Sequence, residues 1–188
     1  YEASSGLGYL AERCERPADW HLLYDGGALV WEQLRLKLGD RAFMAGLQRF
    51  FKAHIGQMSS AADLFEALQY RQSIEIGPFL EPWLESPPNI ELSLAAVECL
   101  GDGNGYATHV CLALEAPADA ELHTELGWRL HAHAPLQTMP ITLTQRGLRC
   151  FTIASEQPPA QVMVDPLYRL PLKSVSNLIW CAVEGCVS

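Results

Sequence analysis

A tyrosine stands at the mouth of a glycine pair in Tyr24-Asp25-Gly26-Gly27, and an apolar helical segment follows at once, running from Ala28 through Trp31 and Leu34 to Leu38-Gly39-Asp40. A phenol has a reference pKa of about 10, so at neutral pH it is an uncharged hydrogen-bond donor. By residue type alone, a tyrosine at the start of a helix is a packing residue whose hydroxyl finds a local partner. Gly26 and Gly27 permit the tight backbone that such a helix start needs. Asp25 and Glu32 are acidic neighbours of the turn, read first as solvated charges near a helix start, with one of them an alternative candidate to shape a substrate pocket.

The other reactive side chains form weaker patterns. His131-Ala132-His133 puts two imidazoles on one face of an alternating segment, a possible metal pair, but no third ligand stands at a matching spacing. His21 precedes Tyr24 by three residues, and His54 falls where a helix C-terminus favours a cation. His109 and His123 carry no pattern. The six cysteines, Cys14, Cys99, Cys111, Cys150, Cys181 and Cys186, form no Cys-x-x-Cys. They are expected as reduced, buried, small apolar residues, with Cys181 and Cys186 as the one close pair able to bridge under oxidising conditions. No phosphate loop, nucleophile elbow or Cys/His dyad signature is present.

The elements that must position these residues change character near Pro87-Pro88. Before that point apolar residues recur at helical spacing. Helices are expected over about 2–14, 23–38, 41–54, 61–70 and 78–84. Gly39 ends the second, Asp40 N-caps the third, Gly56 closes it, and Ser60 with Asp63 caps the fourth. Phe43, Met44, Leu47, Phe50 and Phe51 form the expected buried face of 41–54. After Pro88 the pattern alternates, predicting strands over about 89–97, 106–114, 125–133, 137–144, 148–154 and 161–164. Asp102-Gly103-Asn104-Gly105 and Gln145-Arg146-Gly147 read as the turns between them. The expected fold class is α+β: an α-helical unit over 1–86, a small antiparallel β-sandwich over 88–170, and a tail over 171–188 of undecided structure.

The 188 residues suffice for one large domain or two small ones. Hydrophobic residues make up 49% and charged residues 19%, a globular rather than a disordered balance. The formal net charge of −9, without any cluster of Lys or Arg in sequence, argues against a nucleic-acid partner. No apolar run reaches the roughly 18 residues of a membrane span. The chain opens at Tyr1 with no basic segment leading into an apolar one, and is expected to be a piece of a longer protein.

Several blocks, in order, carry a resemblance. Tyr24-Asp25-Gly26-Gly27-Ala28 resembles the Tyr-x-Lys-Gly-Ala segment of the M1 family of zinc aminopeptidases. Residues 38–51, Leu-Gly-Asp-Arg-Ala-Phe-Met-Ala-Gly-Leu-Gln-Arg-Phe-Phe, are similar to that family's following helix hairpin. Ser59-Ser60-Ala61-Ala62-Asp63-Leu64-Phe65 resembles the next stretch, and Phe79 to Leu84 the aromatic Trp-Leu box that closes the helical part. Val164-Asp165-Pro166 resembles a tripeptide late in the family's sandwich. Position 26 departs from the pattern, holding Gly where Lys is usual, and His-Glu-x-x-His is absent.

The resemblance implies that the parent protein removes N-terminal residues from peptides with a zinc-activated water. It implies that Tyr24 is the catalytic donor to the oxyanion, and that the zinc ligands lie upstream, so this chain alone binds no zinc and hydrolyses nothing. Peptide is the implied substrate of the full-length parent. The alternative is a non-catalytic scaffold of the same ancestry serving as a binding or assembly module. A free-standing carbohydrate- or protein-binding sandwich fits less well, because that half offers few aromatics: Tyr106, Trp128, Phe151 and Tyr168.

Overall fold

The computed structural model describes residues 27–84, 90–101, 105–116, 120–144, 146–173 and 175–182. The chain divides into two compact units, Tyr1–Pro87 and Pro88–Ser188. Helices occupy the first and antiparallel strands the second, an α+β fold in the order that the change of periodicity predicts. The helix expected over 2–14 lies outside the described residues.

The described part of the first unit holds four helices: α1 (Gly27–Leu38), α2 (Asp40–His54), α3 (Ala61–Gln69) and α4 (Ile76–Leu84). Gly39 is the hinge between the first two. Its φ of 80° lies in the left-handed region that glycine tolerates, and its N–H donates to the Arg35 carbonyl at 2.8 Å. Gly39, not Asp40, is also the N-cap of α2. Asp40 is instead the first helical residue, and its carboxylate is taken by the Arg35 guanidinium.

Leu34, Phe43, Leu68, Ile76, Phe79 and Leu80 form one buried cluster, to which each of the four helices contributes. Helix α2 turns inward only part of the face expected: Phe43 joins the cluster and Leu47 packs against it, with Gly46 between them. Phe43 and Gly46 are buried, whereas Met44 and Phe51 are exposed. Gly46 explains the choice. A Cβ there would lie 2.9 Å from the Leu68 Cα and 2.8 Å from its Cδ2, so α2 and α3 approach to a distance only glycine permits. Helix α3 begins with a complete capping box. The Asp63 N–H donates to Ser60 Oγ at 3.3 Å, and the Ser60 N–H to Asp63 Oδ2 at 2.7 Å.

The described part of the second unit has two antiparallel sheets. One runs in the order β1-β2-β5, the other β4-β3-β6-β7. The strands are β1 (Glu91–Gly101), β2 (Tyr106–Glu115), β3 (Leu122–Arg129), β4 (Gln137–Leu143), β5 (Gly147–Ser155), β6 (Gln161–Val164) and β7 (Ile179–Cys181). The buried faces follow the pleat: Val110, Leu112 and Leu114 from β2, Leu122 and Leu126 from β3, Ile141 and Leu143 from β4. The tail thus supplies a strand, β7, at the edge of the four-stranded sheet.

Two expectations fail in this unit. Strand β3 lies three to four residues earlier than alternation predicts and stops at Arg129, whose guanidinium donates to the Ala134 carbonyl at 2.6 Å. The Ala134 N–H in turn reaches the His131 carbonyl at 2.9 Å, closing a turn where strand was expected. The cysteines are not all reduced. Cys111 and Cys150 face each other across the β2–β5 pair and form a disulfide, and Cys181 is disulfide-bonded as well. Cys99 is free.

One anchor holds the second sheet to the chain that leaves it. Asp165 is 2% exposed and sits at φ 51°, a left-handed conformation that Asp tolerates better than most residues. Its Oδ1 accepts from Thr124 Oγ1 at 2.7 Å and from the Arg169 N–H at 2.9 Å; its Oδ2 accepts from the Leu170 N–H at 3.1 Å. Its own N–H donates to the Glu125 carbonyl at 3.0 Å. Arg169 closes the ring through Glu125 Oε1 at 3.2 Å.

Candidate active site

Helix α1 is the described element that follows the tyrosine-glycine block in sequence, and it is tied down at several points. Leu34 is fully buried in the core cluster, and Gln33 beside it is also fully buried. Trp31 meets Phe43 edge to face with ring centroids 6.2 Å apart. Arg35 makes a two-pronged contact with Glu32, at 2.7 Å for each nitrogen, and also reaches Asp40 at the start of α2. The hydrogen bonds to Glu32, reinforced by the charges of Glu32 and Asp40, push the guanidinium pKa above its already high ordinary value. Arg35 is therefore a permanent cation that ties the end of α1 to α2.

Tyr24 itself lies outside the described residues, as do His21, Asp25 and Gly26. Gly27 is the first residue of α1. Glu32 is not a free pocket-shaping acid, since Arg35 holds both of its oxygens.

The remaining histidines do not assemble. His131 and His133 occupy the turn after β3 and are both exposed, so they are not the same-face strand pair that alternation suggests. His54 closes α2 with Nδ1 3.0 Å from the Phe50 carbonyl and its ring stacked on Phe50. His109 pairs with Thr152, and His123 with Thr142 and Glu121. Among the described residues, no group of three or more His, Cys, Asp or Glu is placed to hold a metal ion. No helix among them is long and apolar enough to cross a membrane.

The structure gathers one cluster that sequence reading does not mark. Arg41, Arg49, Tyr70 and Arg71 line a recess of about 510 Å³ beside the α1–α2 hinge. The Arg49 guanidinium lies 4.3 Å and that of Arg71 5.2 Å from the Tyr70 ring centroid. Only the adjacent Tyr70-Arg71 pair is visible as a local signal; Arg41 and Arg49 reach the recess through the packing of α2.

Comparison with known proteins points one way. No family profile matches the chain. It is 33% identical over 92 residues to aminopeptidase N of Lactococcus lactis subsp. lactis, 46% of this chain and 11% of that protein. It is 30% identical over 97 residues to aminopeptidase N of Streptomyces lividans, 52% of this chain and 11% of that protein. A third similar protein, aminopeptidase N of Lactobacillus delbrueckii subsp. lactis, is 29% identical over 92 residues, again 46% of this chain and 11% of the relative. The chain thus aligns with about a tenth of the length of these relatives. Among solved structures, aminopeptidase A of Legionella pneumophila, determined with aspartic acid bound, superposes with a TM-score of 0.59 over 78% of this chain and 17% of its own, at 15% identity. At that identity the likeness is one of fold. The resemblance read from the residue blocks therefore recurs in both sequence and fold: the chain is like a segment of an aminopeptidase.

Proposed function

We propose that this chain is a segment of a zinc-dependent, M1-like aminopeptidase that hydrolyses peptides at their N-termini, and that Tyr24 is its oxyanion donor. The observation that carries the reading is the similarity to aminopeptidase N sequences over about half the chain. Zinc, when bound in the parent, supplies the activated water. In this reading the contribution of Tyr24 is a hydrogen bond to the reacting oxygen, and the zinc ligands lie upstream.

That contribution follows from the chemistry of a phenol. Attack on a peptide carbonyl turns its oxygen into an oxyanion, and a pre-aimed neutral donor lowers the energy of that state more than that of the ground state. A phenol with a pKa of about 10 keeps its proton at neutral pH and needs no counter-ion. Aim requires a rigid mount. Helix α1, which begins at Gly27 just after Tyr24 in sequence, is the proposed mount; it is held by Leu34 in the core, by Trp31 on Phe43, and by Arg35 on Asp40.

The test is Tyr24→Phe in the full-length parent, assayed on aminoacyl-anilides. The expected result is a fall in kcat of about 100- to 1,000-fold with KM nearly unchanged, as for the loss of one oxyanion donor. A fall of less than about threefold would rule out the assignment. One observation favours the non-catalytic scaffold instead: Gly26 stands where the resemblance expects Lys. A parent with no measurable hydrolysis and no His-Glu-x-x-His upstream of Tyr24 would establish that reading.

A further inference from the structure

We propose that the recess lined by Arg41, Arg49, Tyr70 and Arg71 is a binding site for a small oxyanion, a carboxylate or a phosphate group. It lies at the end of α1 away from Gly27, about 17 Å along a helix of 12 residues. The proposal is separate from the role assigned to Tyr24 and stands whether or not that role holds.

Charge is the first argument. The whole chain carries 13 Lys and Arg against 22 Asp and Glu, yet three arginines line this one recess. Its single acid, Asp40, is already engaged by Arg35. Arg41 and Arg71 meet no carboxylate among the described residues. In an acidic protein that is an unusual local excess of positive charge.

Geometry is the second argument. Arg49 and Arg71 both sit within 5.2 Å of one ring centroid, so their separation falls inside the Debye length of about 10 Å at 0.1 M salt. Two like charges held that close raise each other's energy, and a bound anion near both relieves it. The Tyr70 ring offers its face to each, which orients the guanidinium planes. Arg49 is further fixed by a hydrogen bond to the Ala67 carbonyl. Ala42 and Ala45 complete the α2 side of the lining. The recess is shallow and open to solvent, so recognition there rests on the arginines rather than on enclosure. A guanidinium fork matches the paired oxygens of a carboxylate or phosphate, which selects this ligand class over a simple halide.

The test is titration of the 188-residue chain with inorganic phosphate and, separately, with succinate, each against sodium chloride of equal ionic strength, followed by arginine Nε–Hε NMR signals. The expected result is saturable shifts at Arg41, Arg49 and Arg71 with phosphate, succinate or both, which chloride does not reproduce. Response to phosphate alone would identify a phosphate-bearing ligand, and to succinate alone a carboxylate. Arg41→Gln and Arg71→Gln are both at exposed positions and leave the Arg49–Ala67 bond in place. Each is expected to weaken binding at least tenfold with the circular dichroism spectrum unchanged. Shifts no larger than those from chloride, or unaltered affinity in both variants, would overturn the proposal.

Discussion

Asp165 is the residue whose replacement should tell most about the second unit. Its buried carboxylate accepts from Thr124 Oγ1 and from the N–H groups of Arg169 and Leu170. Hydrogen bonds to a charged acceptor contribute about 1.5–3 kcal/mol each, but three on one group are not additive. Asp165→Ala leaves these donors without their acceptor and puts alanine at φ 51°, a further cost of about 1–2 kcal/mol. The expected loss is about 3–5 kcal/mol. Asp165→Asn keeps the left-handed preference and one carbonyl acceptor, so its loss should be about 1–2 kcal/mol. Urea unfolding followed at the amides of Leu126 and Val164, which pair across β3 and β6, reads the relevant part of the fold. Thr124→Val in both backgrounds supplies the cycle: it should cost less when Asp165 is already alanine. A loss below 1 kcal/mol for Asp165→Ala, or equal costs for alanine and asparagine, would refute the anchoring argument.

Two further predictions concern the cap and the bridge. The Ser60 backbone N–H, then its side chain, hold the Asp63 carboxyl pKa below its ordinary value. A depressed folded pKa stabilises α3 above the unfolded value of about 3.9, and that gain is lost as pH falls through the folded value. Ser60→Ala should raise the Asp63 pKa toward the ordinary value and move the acid unfolding of α3 to higher pH, both measurable by NMR titration; an unmoved pKa would disprove the coupling. The Cys111–Cys150 bridge spans 39 residues, for which the chain-entropy model gives about 4 kcal/mol at 25 °C. The β2–β5 ladder shares that constraint, so Cys111→Ala with Cys150→Ala should cost the sheet about 2–4 kcal/mol in urea, and thiol counting in denaturant should find both cysteines blocked until reduced.

Much of the first unit was legible because its signals are local. Gly39 and Gly56 punctuate the helices, and Ser60 and Asp63 form their box within a single turn. On α2, Phe43 and Leu47 were legible as core-facing but Gly46 was not, since it is chosen by the approach of Leu68, 22 positions away in the chain. Strand β3 was misplaced for a similar reason. Its inward set includes Thr124, a polar residue that interrupts the apolar alternation, and what makes it tolerable inside is Asp165, 41 residues on.

Long-range packing also decides the chemistry that the sequence does not display. Cys111 and Cys150 become partners only once β2 and β5 are neighbours, and two intervening strands belong to the other sheet. Spacing between cysteines therefore carries no trace of the bridge. The arginine recess likewise exists only because Gly46 lets α2 lie close on α3. Arg49 stands three residues further along the same helical face, which brings its guanidinium within reach of the Ala67 carbonyl and the Tyr70 ring. A larger residue at position 46 would push the helices apart, and the recess would lose the arginine that the ring and the carbonyl hold in place. One glycine thus ties the packing of the helical unit to the chemistry of its arginine recess.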